Sequence, residues 1–141
     1  MNIEEIKALI DNTAEMELDL EKESRRIPKM HAKAINIRAG EIALLRALEI
    51  EMDSRKRERW IFYSGKAEPH AYKDDPFNIK LLKNEVDDFV LTDKKIVEIR
   101  SKIEMQKIKI SALDEYIKSI NNRNFLIRSA IDYQRLMAGL S

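Results

Sequence analysis

The chain has 141 residues, 36% of them charged, with a formal net charge of +1, three glycines, three prolines and no cysteine. It is long enough to bury a core, and its lack of cysteine excludes disulfides, thiolate metal sites and a thiol nucleophile. No stretch approaches 18 consecutive apolar residues, so no membrane span is expected, and the first residues lack the basic-then-apolar pattern of a signal peptide.

Apolar residues at helical spacing among so many charges predict an all-α domain with solvated outer faces. A short amphipathic helix is expected from Ile3, Ile6, Leu9 and Ile10, and Asp11-Asn12-Thr13 ends it or caps its successor. Residues 14–26 alternate at Met16, Leu18 and Leu20, which suits a strand, but their glutamates and lysines favour helix. Ser24 marks a boundary, with Pro28 accommodated in a first helical turn. One long helix is predicted over 28–63, on the spacing of Ile35, Ile42, Leu45, Leu48 and Met52. Gly65 is its expected C-cap.

Gly65, Pro69 and Pro76 then read as breakers in a loop over 64–77. Its length, unusual in a compact domain, hints at function or mobility. A short helix over 78–91 follows from Ile79, Leu82, Val86 and Phe89, with Thr92 or Asp93 capping the next. The clearest periodicity runs through Ile96, Ile99, Ile103, Gln106, Ile110, Leu113, Ile117 and Ile120, a coiled-coil-like heptad seam with one polar member. The seam suits packing between subunits or within a helical hairpin equally. Asn121-Asn122 is expected to break the run. A short C-terminal helix over 124–140 then places Leu126, Ala130, Tyr133, Met137 and Leu140 on one stripe. Phe125, Ile127 and Ile131 widen the apolar surface to a second face, which suggests subunit packing at this end.

Charge is segregated along the chain. Residues 1–24 hold eight acids and two lysines, net −6, whereas 25–40 hold five cations and no acid, net +5. Residues 53–66 are net +3, residues 67–93 net −4 and residues 94–141 net +5. Such blocks form interaction patches or pack against one another, and chain charge does not decide between the two.

Enzyme motifs are absent: no glycine-rich phosphate loop, no HExxH, no GxSxG, and His31 and His70 stand alone. No catalytic residue, cofactor or metal is therefore expected. One stretch stands out instead. Arg55, Lys56, Arg57 and Arg59 run directly into Trp60, Phe62 and Tyr63, and Lys66 follows. Cations attract a phosphate backbone and aromatic faces stack on unpaired bases, which makes this a candidate single-strand nucleic-acid site. On a helix Trp60 and Phe62 lie roughly 200° apart, so one core cannot take both unless the element ends there. The same residues also suit packing or a protein interface.

The run Arg57-Glu58-Arg59-Trp60-Ile61-Phe62-Tyr63-Ser64-Gly65-Lys66 resembles the Lys-x-Arg, aromatic and Tyr-Ser-Gly segment of the UvsY family of phage recombination mediators. Ile117-Lys118-Ser119 through Phe125-Leu126-Ile127 is similar to a second segment of that family, and Ile131-Asp132-Tyr133-Gln134-Arg135-Leu136 to a third. Here Asn124 stands where the family has a glycine before the aromatic. The resemblance implies a non-enzymatic protein that binds single-stranded DNA as a ring-like homo-oligomer. It further implies that the protein loads a RecA-like recombinase onto strands covered by single-strand-binding protein, in the cytoplasm of the infected host cell. Lys56, Arg57 and Arg59, flanked by Arg55 and Lys66, would then contact DNA, with Trp60 and Tyr63 stacking. Phe125, Ile127, Ile131 and Leu136 would carry assembly. The competing expectation is a helical assembly or scaffolding protein without nucleic-acid binding.

Overall fold

The computed structural model describes residues 1–139, and every regular element among them is helical. In chain order these are α1 (Ile3–Thr13), α2 (Leu20–Tyr63), α3 (Pro69–Asp74), α4 (Lys83–Thr92) and α5 (Lys94–Met137). Leu140 falls outside the described residues.

Local chemistry accounts for the ends. Asn2 starts α1 with a capping box: the Glu5 N–H donates to Asn2 Oδ1 at 2.8 Å and the Asn2 N–H to Glu5 Oε2 at 3.3 Å. Asp19 accepts from the N–H groups of Glu21 and Lys22, so α2 begins earlier than residue 28. Pro28 consequently lies inside α2, not in its first turn. The proline forfeits the bond to the Ser24 carbonyl, but its neighbours Ile27 and Met30 are both buried in a core cluster, and that burial holds the helix through it. At the far end Gly65 adopts φ +82°, the Lys66 N–H donates to the Ile61 carbonyl at 3.1 Å and the Gly65 N–H to the Phe62 carbonyl at 3.2 Å. This is a Schellman motif, whose left-handed position suits glycine.

Three further expectations change. Residues 64–77 contain α3, whose Pro69 sits in the first turn. The helix expected over 78–91 begins only at Lys83, so Ile79 and Leu82 lie in non-helical chain and are exposed. Asn121-Asn122 does not break α5, which runs on to Met137, and no separate C-terminal helix follows among the described residues. Both asparagines face solvent. Their weak helix propensity costs only some tenths of a kcal/mol, while Ile120 and Arg123 on either side are buried.

The chain packs as two compact units, one made of Met1–Ala43 with the chain from Lys107 on, the other of Leu44–Gln106. The first has a core of Ile27, Met30, Ala34, Tyr116, Ile120 and Ile127, with Ile10, Met16 and Ile117 against it. The second has a core of Met52, Val86, Val90, Ile96 and Ile99, flanked by Trp60, Tyr63, Leu81 and Ile103. Every seam position from Ile96 to Ile120 is buried or half-buried within the chain. The heptad stripe is thus spent on intramolecular packing.

Charge blocks meet inside the first unit. Glu23 is fully buried, with Arg123 Nη1 at 2.7 Å and Arg26 Nη2 at 3.2 Å. Lys109 reaches Glu41 at 2.8 Å, and Arg38 pairs with Asp114.

Candidate nucleic-acid interface

The last turns of α2 carry the basic-aromatic stretch, and the structure sorts its members. Arg59 is buried. Its Nε donates to Asp93 Oδ2 at 2.8 Å, its Nη2 lies 3.4 Å from Asp75 Oδ2, and its guanidinium carbon sits 4.2 Å from the Phe62 ring centroid. Tyr63 donates its hydroxyl to the same Asp93 oxygen at 2.6 Å. Asp93 uses its other oxygen to accept the Lys95 N–H at 2.9 Å, which caps α5. One carboxylate thereby joins the end of α2 to the start of α5.

The electrostatics agree with that role. Burial works to raise the Asp93 carboxyl, but the hydrogen bonds from Tyr63 and Arg59 and the guanidinium charge outweigh it and hold Asp93 below its ordinary value. Burial pushes the Tyr63 phenol up, and its bond to Asp93 adds to that rise. Burial opposes the charge of Arg59, yet Tyr63 and Asp93 more than compensate and its affinity for the proton rises. Arg59 is therefore a structural cation whose charge is already matched.

The remaining cations are differently placed. Lys56, Arg57 and Lys66 are exposed. Lys66 Nζ lies 5.6 Å from the centroid of the half-buried Trp60 ring. Arg55 is half-exposed and bonds Glu58 Oε2 at 3.1 Å. It also lines a shallow cleft with Glu51, Lys95, Glu98, Ile99 and Lys102.

The aromatics pack largely on one another. The Tyr63 ring contacts Phe62, Phe77 and Phe89, and Phe62 stacks on Tyr72 at 4.9 Å and 20°. Phe62 stacks on Tyr72 of α3, whereas Trp60 packs against the core of Met52, Val86, Val90, Ile96 and Ile99. Sequence reasoning missed Asp75, Tyr72 and Phe77. Only Asp93 carried a signal, its capping position.

The C-terminal part of α5 is mostly uncovered. Phe125, Ile131, Tyr133, Leu136 and Met137 are exposed, with Phe125 at 66% and Leu136 at 71%. Ile127, which the sequence places among the assembly residues, is in contrast buried in the core of its own unit. Among the described residues no group of three or more His, Cys, Asp or Glu is arranged to hold a metal ion, and no helix is long and apolar enough to cross a membrane.

Comparison with known proteins adds a family. The model of a family described as "Recombination, repair and ssDNA binding protein UvsY" matches residues 5–140. The fold is similar to that of the bacteriophage T4 recombination mediator protein UvsY in its crystal structure, with a TM-score of 0.85, 17% sequence identity and 98% of each chain covered. No curated protein sequence matches the chain. The family match spans nearly the whole sequence, and on it the chain belongs to the UvsY family of recombination, repair and single-stranded-DNA-binding proteins.

Proposed function

We propose that this protein is a phage recombination mediator that promotes loading of a RecA-like recombinase onto single-stranded DNA already covered by single-strand-binding protein. It works in the cytoplasm of the infected host cell and involves no catalysis. The observation that carries this reading is the exposed trio Lys56, Arg57 and Lys66 at the end of α2, beside Arg55. Their charges are presented to solvent, where a phosphate backbone is reached at little desolvation cost. Arg59 and Tyr63 act from beneath by fixing the helix end that displays them.

A few exposed cations bind one strand weakly. A ring-like homo-oligomer repeats the patch, and linked weak sites gain affinity without any new contact type. The exposed apolar end of α5, with Phe125, Ile131 and Leu136, supplies the assembly surface.

Replacing Lys56, Arg57 and Lys66 by alanine together is expected to lower single-strand affinity by roughly tenfold or more at moderate salt. The slope of log affinity against log salt should become shallower by about two, since each phosphate contact on a single strand contributes about 0.7. Thermal stability should be unchanged. Fluorescence anisotropy over a salt series measures all of this, and unchanged affinity would remove the trio as the DNA contact. Phe125→Asp with Leu136→Asp should convert the oligomer to smaller species in sedimentation velocity. Single-strand affinity should fall with it through lost avidity. An unaltered sedimentation profile would place assembly elsewhere.

A further inference from the structure

Where α2 ends, the returning chain leaves a cavity of about 480 Å³ lined by Gly65, Ala67, Pro69, Tyr72, Phe77, Asn78 and Ile79. No charged side chain lines it. Tyr72 is rigidly held: its hydroxyl donates to the Phe62 carbonyl at 2.8 Å and accepts the Ala67 N–H at 3.1 Å. Phe62 stacks on the Tyr72 ring, and Tyr72 is the tyrosine that lines the cavity. Asn78, an exposed lining residue, adds an amide with both donor and acceptor capacity. At Gly65 a Cβ would meet nothing within 4 Å, so the backbone leaves that wall open.

We infer that this cavity takes one unpaired base of the bound strand, stacked on Tyr72 with its polar edge toward Asn78. The inference rests on the single-strand reading above and specifies what the strand offers besides phosphate. Three features favour a base over other occupants. At about 480 Å³ the site lies in the lower half of the range for ligand pockets. Its lining joins an aromatic face to an uncharged hydrogen-bonding group, the combination that nucleobases satisfy. It also adjoins the cation row along the chain, since Gly65 on its wall directly precedes the exposed Lys66. Asp75, the carboxylate nearest in sequence to Phe77, is engaged by Arg59 and does not line the cavity. The stacking surface thus moves from Trp60 and Tyr63, which the sequence suggests, to Tyr72.

The test compares two strands of equal length and phosphate count, one of thymidines and one wholly abasic, by anisotropy at moderate salt. Wild-type protein should bind the thymidine strand at least about fivefold more tightly, the scale of one stacked base. Ala67→Phe, which adds a bulky ring at the cavity wall while keeping the backbone N–H for Tyr72, should narrow that gap and leave abasic binding unchanged. Equal wild-type affinity for both strands overturns the base site and leaves the phosphate reading standing. A gap that is undiminished in Ala67→Phe puts stacking elsewhere and also overturns it. Absence of binding to either strand overturns both readings. Should circular dichroism show Ala67→Phe unfolded, a strand carrying 2-aminopurine decides with wild-type and Asn78→Ala protein. Emission quenched on wild-type binding, and quenched less in Asn78→Ala, supports the site; unchanged emission on wild-type binding, or equal quenching in both proteins, overturns it.

Discussion

Asp93→Ala is expected to destabilise the protein by about 3–5 kcal/mol, the usual consequence of removing one partner from a buried ion pair. The side chains of Asp93 and Arg59 are only 6% and 8% exposed. Without the carboxylate Arg59 keeps a single distant acid, Asp75 at 3.4 Å, the Tyr63 hydroxyl loses its acceptor, and α5 loses its cap. Arg59→Ala should cost less, because Asp93 retains Tyr63 and the Lys95 N–H and stays hydrogen-bonded. Denaturant midpoints of the two variants check that order, and equal or reversed losses would contradict the account. The same pair separates support from contact. Arg59→Ala should weaken DNA binding only as far as it unfolds the protein and should leave the salt slope intact. Arg57→Ala should do the reverse, lowering affinity and slope with no change in midpoint.

This distinction was hidden in the sequence, where Arg59 is one more cation in a row of four. What neutralises it is an aspartate 34 positions later, and nothing in the spacing announces that contact. The elements that local chemistry determines were legible: the amphipathic first helix, the glycine stop at 65, a cap at Thr92 or Asp93 (the structure uses Asp93) and the seam from Ile96 to Ile120. The errors fall where packing overrides local preference. Pro28 and Asn121-Asn122 read as boundaries, yet each is flanked by buried residues whose burial outweighs a lost bond or a weak propensity. The reverse happened at Ile79 and Leu82, where the apolar spacing suggested a helix that begins only at Lys83. On the proposed assembly face, periodicity could not reveal that Ile127 is consumed by its own unit while Phe125, Ile131 and Leu136 are left outside.

The acidic first segment and the basic block after it also resolve into particulars, and these carry a second large effect. Glu23 is fully buried and accepts from Arg123, from Arg26 and from the Glu17 N–H at 3.0 Å. Arg123 in turn donates to the Thr13 carbonyl, and the Thr13 hydroxyl meets the Tyr116 hydroxyl at 2.5 Å. One carboxylate therefore ties the segment after α1 to both long helices of its unit. Glu23→Ala strands the Arg123 guanidinium, itself only 5% exposed, and should cost about 3–5 kcal/mol.

The pH dependence follows from the same geometry. Burial works to raise the Glu23 carboxyl, but the Glu17 N–H, the Arg123 bond and the two guanidinium charges prevail and hold it below the ordinary glutamate value of 4.5. A carboxyl depressed in the folded state contributes stability that is complete above the unfolded value. It is lost as pH falls through the folded one. Asp93, depressed from 3.8, acts in the same direction at slightly lower pH. The melting temperature should accordingly hold steady from neutral pH to about 5 and drop below 4.5. Glu23→Gln removes the ionisable group and keeps its size, so its melting curve should start lower at neutral pH and decline less between 4.5 and the acid limit. Melts of both proteins across that range decide the matter. Parallel curves would mean that Glu23 is no determinant of acid stability, and that the burial of its charge is offset in some way other than by Arg26 and Arg123.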